Sequence, residues 1–231
     1  MVNIISESDN YTVVTEYKGL DKKSTTYQSE DALEKELIKT LMEQGYEYLT
    51  FNSESELISN LRDKLGKLNN HVFSDNEWNN LFNNVIANKN NHILEKTKLI
   101  QEDYKQPLRL DNGELINVYL IDKDNIHNNC LQVINQYENN DGNHENRYDV
   151  TILVNGLPLV HIELKRRGID LREAFNQIDR YQRDSFWAGS GLYEYIQIFI
   201  ISNGTYTKYY SNTTRDLHLK TGTKKTSNTF E

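Results

Sequence analysis

Asp149-Val150-Thr151-Ile152-Leu153-Val154, then Asn155-Gly156-Leu157-Pro158, then Leu159-Val160-His161-Ile162-Glu163-Leu164-Lys165 is the stretch on which the fold turns. Two alternating apolar runs flank an Asn-Gly pair, the sequence signal of a β-hairpin. Alternation places Val160, Ile162 and Leu164 on one face of the second strand and His161, Glu163 and Lys165 on the other. On the first strand Val150, Ile152 and Val154 go together, with Asp149, Thr151 and Leu153 opposed to them. Apolar must meet apolar, because a slip of one residue turns a strand over. A three-residue loop over 155–157 satisfies this: Val154 then faces Pro158, Val150 faces Ile162, and Asp149 falls across from Glu163. Directly opposed side chains hold their Cβ atoms about 4.5–5.5 Å apart, so two carboxylates there repel unless a cation lies between them.

A divalent metal suits that position, since Mg²⁺ is held by one or two carboxylates together with waters and substrate phosphate. Lys165 projects from the same face two residues on, where an ammonium reaches an attacking water or a scissile phosphate. Asp, Glu and Lys around one metal are the minimum equipment for metal-assisted phosphodiester hydrolysis. The residues alone leave a second reading open, a solvated strand face, which alternating polar side chains also produce. His161 suits a structural or ligand-supporting place better than a ligand's.

Outward from the hairpin the pattern is α/β. Downstream, Asp170 and Glu173 form a capping box for a helix running to about Trp187, with Leu171, Ala174, Phe175 and Ile178 as its buried stripe. Gly189-Ser190-Gly191 breaks it, and 196–202, the Asn203-Gly204 turn and 206–211 read as a second hairpin. Upstream, strands are expected over 116–121 and 131–137, with a polar loop over 138–146. Before them lies a helical set: 32–44 ending at Gly45, a helix capped by Ser53 and Glu56 and closed by Gly66, one capped by Ser74 and Glu77, and a weaker one over 92–101. Pro107 and Asn112-Gly113 mark turns.

Composition bounds the rest. One cysteine, Cys130, in 231 residues excludes a disulfide framework and a Cys-rich zinc site and points to a reducing compartment. The first residues have neither the basic region nor the apolar stretch of a signal peptide, and the apolar run over 196–201 is too short to span a bilayer. A cytoplasmic protein without a membrane partner is therefore expected. Net charge is −8, yet between Glu163 and Arg183 six cations oppose four anions, leaving +2 there and −10 elsewhere. From Thr205 onward five cations oppose two anions, +3. A polyanion can thus meet a locally basic face on an acidic body.

The string from Arg147 to Lys165, with Asp149 about a dozen residues before Glu163-Leu164-Lys165, resembles the PD-(D/E)xK nuclease core and, more specifically, the nuclease domain of the R subunit of type I restriction–modification enzymes. In that family an N-G-x-P loop joins the two strands and a Q-x-x-x-Y motif follows on a helix, matched here by Gln177 and Tyr181. The likeness covers about residues 115–210 well. It implies a PD-(D/E)xK-like mixed sheet flanked by helices with an N-terminal helical set. The expected organisation is an N-terminal segment over 1–28, an endonuclease domain over 29–212 (helical over 29–106, catalytic over 114–212) and a tail or linker over 213–231. The activity implied is Mg²⁺-dependent cleavage of double-stranded DNA. Asp149, Glu163 and the Leu164 carbonyl would bind the metal, and Lys165 would orient the nucleophile or neutralise charge. Gln177 and Tyr181 would orient Lys165 or contact the substrate backbone. Glu34, on the first helix, matches an acidic residue that the superfamily often places there. Arg166, Arg167, Arg172, Arg180 and Arg183 are candidate DNA phosphate contacts. Methyltransferase and specificity subunits are the implied partners.

Tyr148 stands where the superfamily's name has Pro, which supplies no ligand. Family R subunits continue into an ATP-driven motor, whereas the 221–226 stretch here lacks the first Gly and the spacing of a phosphate-binding loop. ATP is thus expected only in the full-length subunit. The alternative from another class is a non-catalytic nucleic-acid-binding or assembly module on a nuclease fold, and a further one is a PD-(D/E)xK nuclease of another pathway.

Overall fold

The computed structural model describes residues 2–7 and 13–17 by their backbone, and 29–139 and 146–212 with side chains other than those of Asn139, Asn146, Arg183 and Asp184. Strands β1 (Val2–Glu7) and β2 (Val13–Tyr17) pair with each other as an antiparallel hairpin within the segment left unassigned from sequence. Helix α1 (Glu30–Glu43) starts at Ser29, whose hydroxyl accepts from the Ala32 N–H, and carries Glu30 and Asp31 in its first turn, where the helix dipole favours anions. After the short strand β3 (Glu47–Leu49), helix α2 (Glu54–Asn69) is capped by Ser53. It does not close at Gly66 as expected but runs on to a left-handed Asn70, a conformation Asn tolerates. Gly66 serves close packing instead: a Cβ there would lie 2.9 Å from the His71 carbonyl oxygen. Helix α3 (Asp75–Leu81) has the full Ser74/Glu77 capping box and passes into a π-helical turn over Phe82–Ile86. Helix α4 (Ile93–Gln101) completes the helical set.

Strands β4 (Lys105–Arg109) and β5 (Leu115–Tyr119) form a two-stranded ribbon. Pro107 therefore lies inside a strand rather than at a turn, tolerated because a ribbon has free edges. Next come β6 (Leu131–Asn139), β7 (Asn146–Val154) and β8 (Leu157–Leu164), then α5 (Leu171–Asp184), capped by Asp170, and finally β9 (Ile198–Ser202) and β10 (Thr207–Ser211). The main sheet has the order β10-β9-β8-β7-β6-β3, with β8 parallel to β9, β3 parallel to β6, and the other pairs antiparallel. It is the mixed sheet that the resemblance implies, flanked by helices on both faces.

On one face α1 sets Ile38 and Leu41 against Val133, Val150, Ile162 and Leu164. On the other, Leu57, Leu61 and Leu65 of α2 and Ala174, Ile178 and Tyr181 of α5 join Leu153, Leu157, Tyr148 and Phe199. Each large apolar side chain so buried contributes roughly 1.5–3 kcal/mol, so both faces of the hairpin are held. Among the described residues no helix is long and apolar enough to cross a membrane. The expected tail over 213–231, with its 221–226 stretch, lies outside the described residues, as do residues 140–145 of the polar loop.

Candidate active site

The Asn-Gly turn is tighter than the three-residue loop expected of it. Asn155 (φ 52°) and Gly156 (φ 85°) are both left-handed, the requirement of a two-residue type I′ turn, so Val154 pairs with Leu157 rather than Pro158. The missing residue reappears as a β-bulge. Leu153 pairs with Pro158 and Ile152 with Val160, leaving Leu159 extra, its carbonyl accepting from the Gln197 N–H at 2.8 Å. Beyond the bulge the expected register holds, with Val150 opposite Ile162. One step beyond the last pair of that ladder stand Asp149 and Glu163, near enough for the Glu163 charge to act on Asp149. The Leu164 N–H donates to Asp149 Oδ2 at 2.9 Å, which ties the first acid to the second strand.

Gly156 is fixed twice over. Besides its positive φ, a Cβ there would lie 2.6 Å from the Leu61 Cα, so the turn abuts the backbone of α2.

The polar side of β8 is not a solvated face. His161 and Glu163 are both 0% exposed, beneath α5 and an aromatic cluster of Tyr148, Tyr181 and Phe186. Burial is the largest reason that Asp149 is pushed up to about 7, the Glu163 charge adds to it, and the Leu164 N–H and the Lys165 ammonium oppose it. Glu163 is likewise pushed up to about 7 by burial, against the opposing ammonium of Lys165. Lys165 Nζ donates to Glu163 Oε1 at 3.1 Å, while Glu163 Oε2 is buried with no hydrogen-bond partner among the described residues. Burial lowers His161 to about 4, so its imidazole is neutral at pH 7.

Glu34 reaches the same neighbourhood from α1. It is buried, accepts from the side-chain amides of Asn135 and Gln136 on β6, and is held above the usual carboxylate range by burial, with the Asp149 charge adding to the effect. Gln136 is left-handed (φ 52°), and the β6–β7 ladder skips it where it would meet Asp149. That conformation is uncommon for a residue with a long side chain, and residues so held cluster at functional sites. Asn135 and Gln136 were not singled out from sequence. The available signal was two consecutive amides interrupting an apolar strand after Val133 and Ile134.

Gln177 donates to the Tyr181 hydroxyl, which in turn donates to the Arg147 carbonyl at 2.9 Å, and Tyr181 is buried edge-on against Tyr148. The pair thus pins α5 to the start of β7, and no hydrogen bond joins it to Lys165 among those described. Of the arginines, Arg166 is exposed and its backbone N–H binds Glu30. Arg167 points to the Gly204 carbonyl, Arg172 is exposed in the first turn of α5, and Arg180 lies over the Tyr181 ring. The Arg183 side chain lies outside the described residues.

Chemically, a buried carboxyl group (Glu163), a half-buried one (Asp149) and a lysine ammonium converge, and one carboxyl oxygen of Glu163 has no hydrogen-bond partner among the described residues. Among the described residues no group of three or more His, Cys, Asp or Glu side chains is placed to hold a metal.

Residues 27–218 match the family model described as type I restriction enzyme R protein N terminus. The Type I restriction enzyme EcoprrI endonuclease subunit of Escherichia coli is 47% identical over 212 residues, covering 91% of this chain and 67% of that protein. The SsaAORF53P endonuclease subunit of Staphylococcus saprophyticus is 42% identical over 197 residues, and the SauCOLORF180P endonuclease subunit of Staphylococcus aureus is 42% identical over 196 residues. Each of those two matches covers 83% of this chain, which spans only 20% of either staphylococcal protein. By the extent of the match and the identities together, the chain belongs to the type I restriction enzyme R protein N-terminal family.

Proposed function

We propose that this chain is the cleavage module of a type I restriction endonuclease R subunit, hydrolysing phosphodiester bonds of double-stranded DNA with Mg²⁺. The observation that carries the reading is the approach of Asp149 to Glu163 at the end of the bulged hairpin, where the Leu164 N–H holds Asp149 Oδ2 and the Glu163 charge raises Asp149, with Lys165 on Glu163 Oε1 and Glu163 Oε2 left without a partner among the described residues. This donor set fits a divalent cation. Two hard carboxylate oxygens that resist ionisation together gain from a shared positive charge. When bound, the cation supplies Lewis-acid polarisation of a phosphodiester and acidification of water.

Asp149 and Glu163 would hold it, with the Leu164 carbonyl as third ligand. Lys165 would release Glu163 and turn its ammonium to the attacking water or the scissile phosphate. Glu34 would support the site from α1. Gln177 and Tyr181 would keep α5, and through it the roof over Glu163, seated on β7. Exposed Arg166, Arg172 and Arg180, with Arg167 and Arg183, would position DNA through its phosphates without reading sequence.

The cytoplasm is the compartment this reading requires, and methyltransferase and specificity subunits are its partners. ATP would be used by the rest of the full-length subunit. The test is made in the assembled enzyme. Asp149→Ala, Glu163→Ala and Lys165→Ala should each abolish DNA cleavage while ATP-driven translocation continues. Unimpaired cutting by any of the three removes that residue from the mechanism.

A further inference from the structure

His161 is a buried group at the site with no task in the scheme above. Its ring is 0% exposed and lies edge-on to Tyr148, Tyr181 and Phe186, at centroid distances of 5.7, 5.9 and 6.0 Å. Aromatic packing on three sides fixes the ring plane. A phenylalanine would satisfy those contacts equally, so packing alone does not call for an imidazole.

The two ring nitrogens have different neighbours. Nδ1 lies 3.5 Å from the Thr151 hydroxyl, its cross-strand partner on β7. Nε2 lies 3.4 Å from Glu163 Oε2, and both of these atoms are buried without any hydrogen-bond partner among the described residues. Two unsatisfied polar atoms facing each other in a dry interior are costly, roughly 1–3 kcal/mol per group, unless they pair. A normal hydrogen bond needs them only about 0.5 Å closer, and such bonds commonly tighten when a site is filled.

We propose that His161 is the positioning residue for Glu163: Thr151 donates its hydroxyl proton to Nδ1, which holds the ring in the Nε2–H form, and Nε2–H donates to Glu163 Oε2 when that carboxylate is ionised. The inference rests on Glu163 being a metal ligand. The bond fixes the carboxylate's rotation, and Lys165 is free to leave Oε1 without the glutamate swinging away. A supporting hydrogen bond of this kind typically sustains metal affinity about 10–100-fold. Thr151 suits the task because a hydroxyl donates or accepts as required.

The experiment is Mn²⁺ titration of the 231-residue chain followed by calorimetry and by the electron spin resonance of free Mn²⁺, with His161→Phe, His161→Gln and, as reference, Glu163→Gln. His161→Phe should weaken Mn²⁺ binding about 10–100-fold, and His161→Gln, whose amide restores a donor toward Oε2, should recover most of the loss. Equal affinity in wild type and His161→Phe overturns the proposal while leaving the two-carboxylate site standing. No binding by the wild type overturns the site and this inference together. Should His161→Phe fail to fold, ¹⁵N NMR of the wild-type imidazole in saturating Mg²⁺ decides: the Nε2–H form supports the assignment and the Nδ1–H form refutes it.

Discussion

Asp149→Asn should make the metal-free chain more stable at pH 8, and the gain should vanish in acid. In the folded chain Asp149 is pushed from an ordinary 3.8 to about 7, chiefly by burial and then by the Glu163 charge. A carboxyl whose folded value is raised binds a proton in the native state while the unfolded chain has already lost it. Stability therefore falls as pH rises through the window between 3.8 and about 7, and is flat above it. From pH 5 to the top of that window is two pH units at about 1.4 kcal/mol each, so the variant should gain about 3 kcal/mol on the wild type between pH 5 and pH 8. For a chain of this length that is about 6–12 °C in melting temperature. Asparagine keeps an acceptor for the Leu164 N–H, so the comparison isolates the charge. The assay is thermal unfolding by circular dichroism at pH 5, 6, 7 and 8 with chelator present. A difference between variant and wild type that does not change with pH, or one that grows toward acid, refutes the reasoning.

Divalent cation added at pH 8 should reverse that ranking: the wild type gains about 2.7 kcal/mol at a hundredfold excess over its dissociation constant, read as a melting shift, and Asp149→Asn gains little. Lys165→Met leaves Glu163 buried without its ammonium, so urea unfolding should show a larger loss at pH 8 than at pH 5. Tyr181→Phe strands the Arg147 carbonyl and the Gln177 amide and should lower stability by about 1–3 kcal/mol in equilibrium unfolding, with cleavage by the assembled enzyme reduced but not abolished. Gly156→Ala forces a Cβ against the Leu61 backbone at positive φ and should destabilise by about 2–4 kcal/mol, seen as poor recovery of folded protein or a lowered urea midpoint.

The hairpin's alternation was readable because both its faces are committed. Val150 and Ile162 must meet α1's apolar stripe, and that requirement alone brings the two acids to one level. The bulge at Leu159 was not readable, since a looser turn satisfies the same alternation. Which local solution is adopted depends on α2 pressing on Gly156. Strand β3 was missed because three residues carry no period, and β4 because Pro107 reads as a breaker unless its ribbon partner is known. The depth of His161 and Glu163 was equally hidden: polar alternation marks an exposed face until α5 and its aromatic residues are seen to cover it. The backbone twist at Gln136, with the amides it aims at Glu34, has no local sequence signature beyond the amides themselves.

The bulge at Leu159 also makes this hairpin asymmetric in the changes of length it can absorb. Leu159 is the residue the β7–β8 ladder passes over, so losing one residue there would turn the bulge into regular pairing, keep Val150 opposite Ile162 and leave Glu163 and Lys165 on their own side. A residue gained between Pro158 and His161 has no such outlet: it must widen the bulge, or every later side chain turns over and Glu163 and Lys165 are presented to the leucines and isoleucine of α1. Shortening is therefore the permitted direction of drift in this strand, and lengthening the costly one.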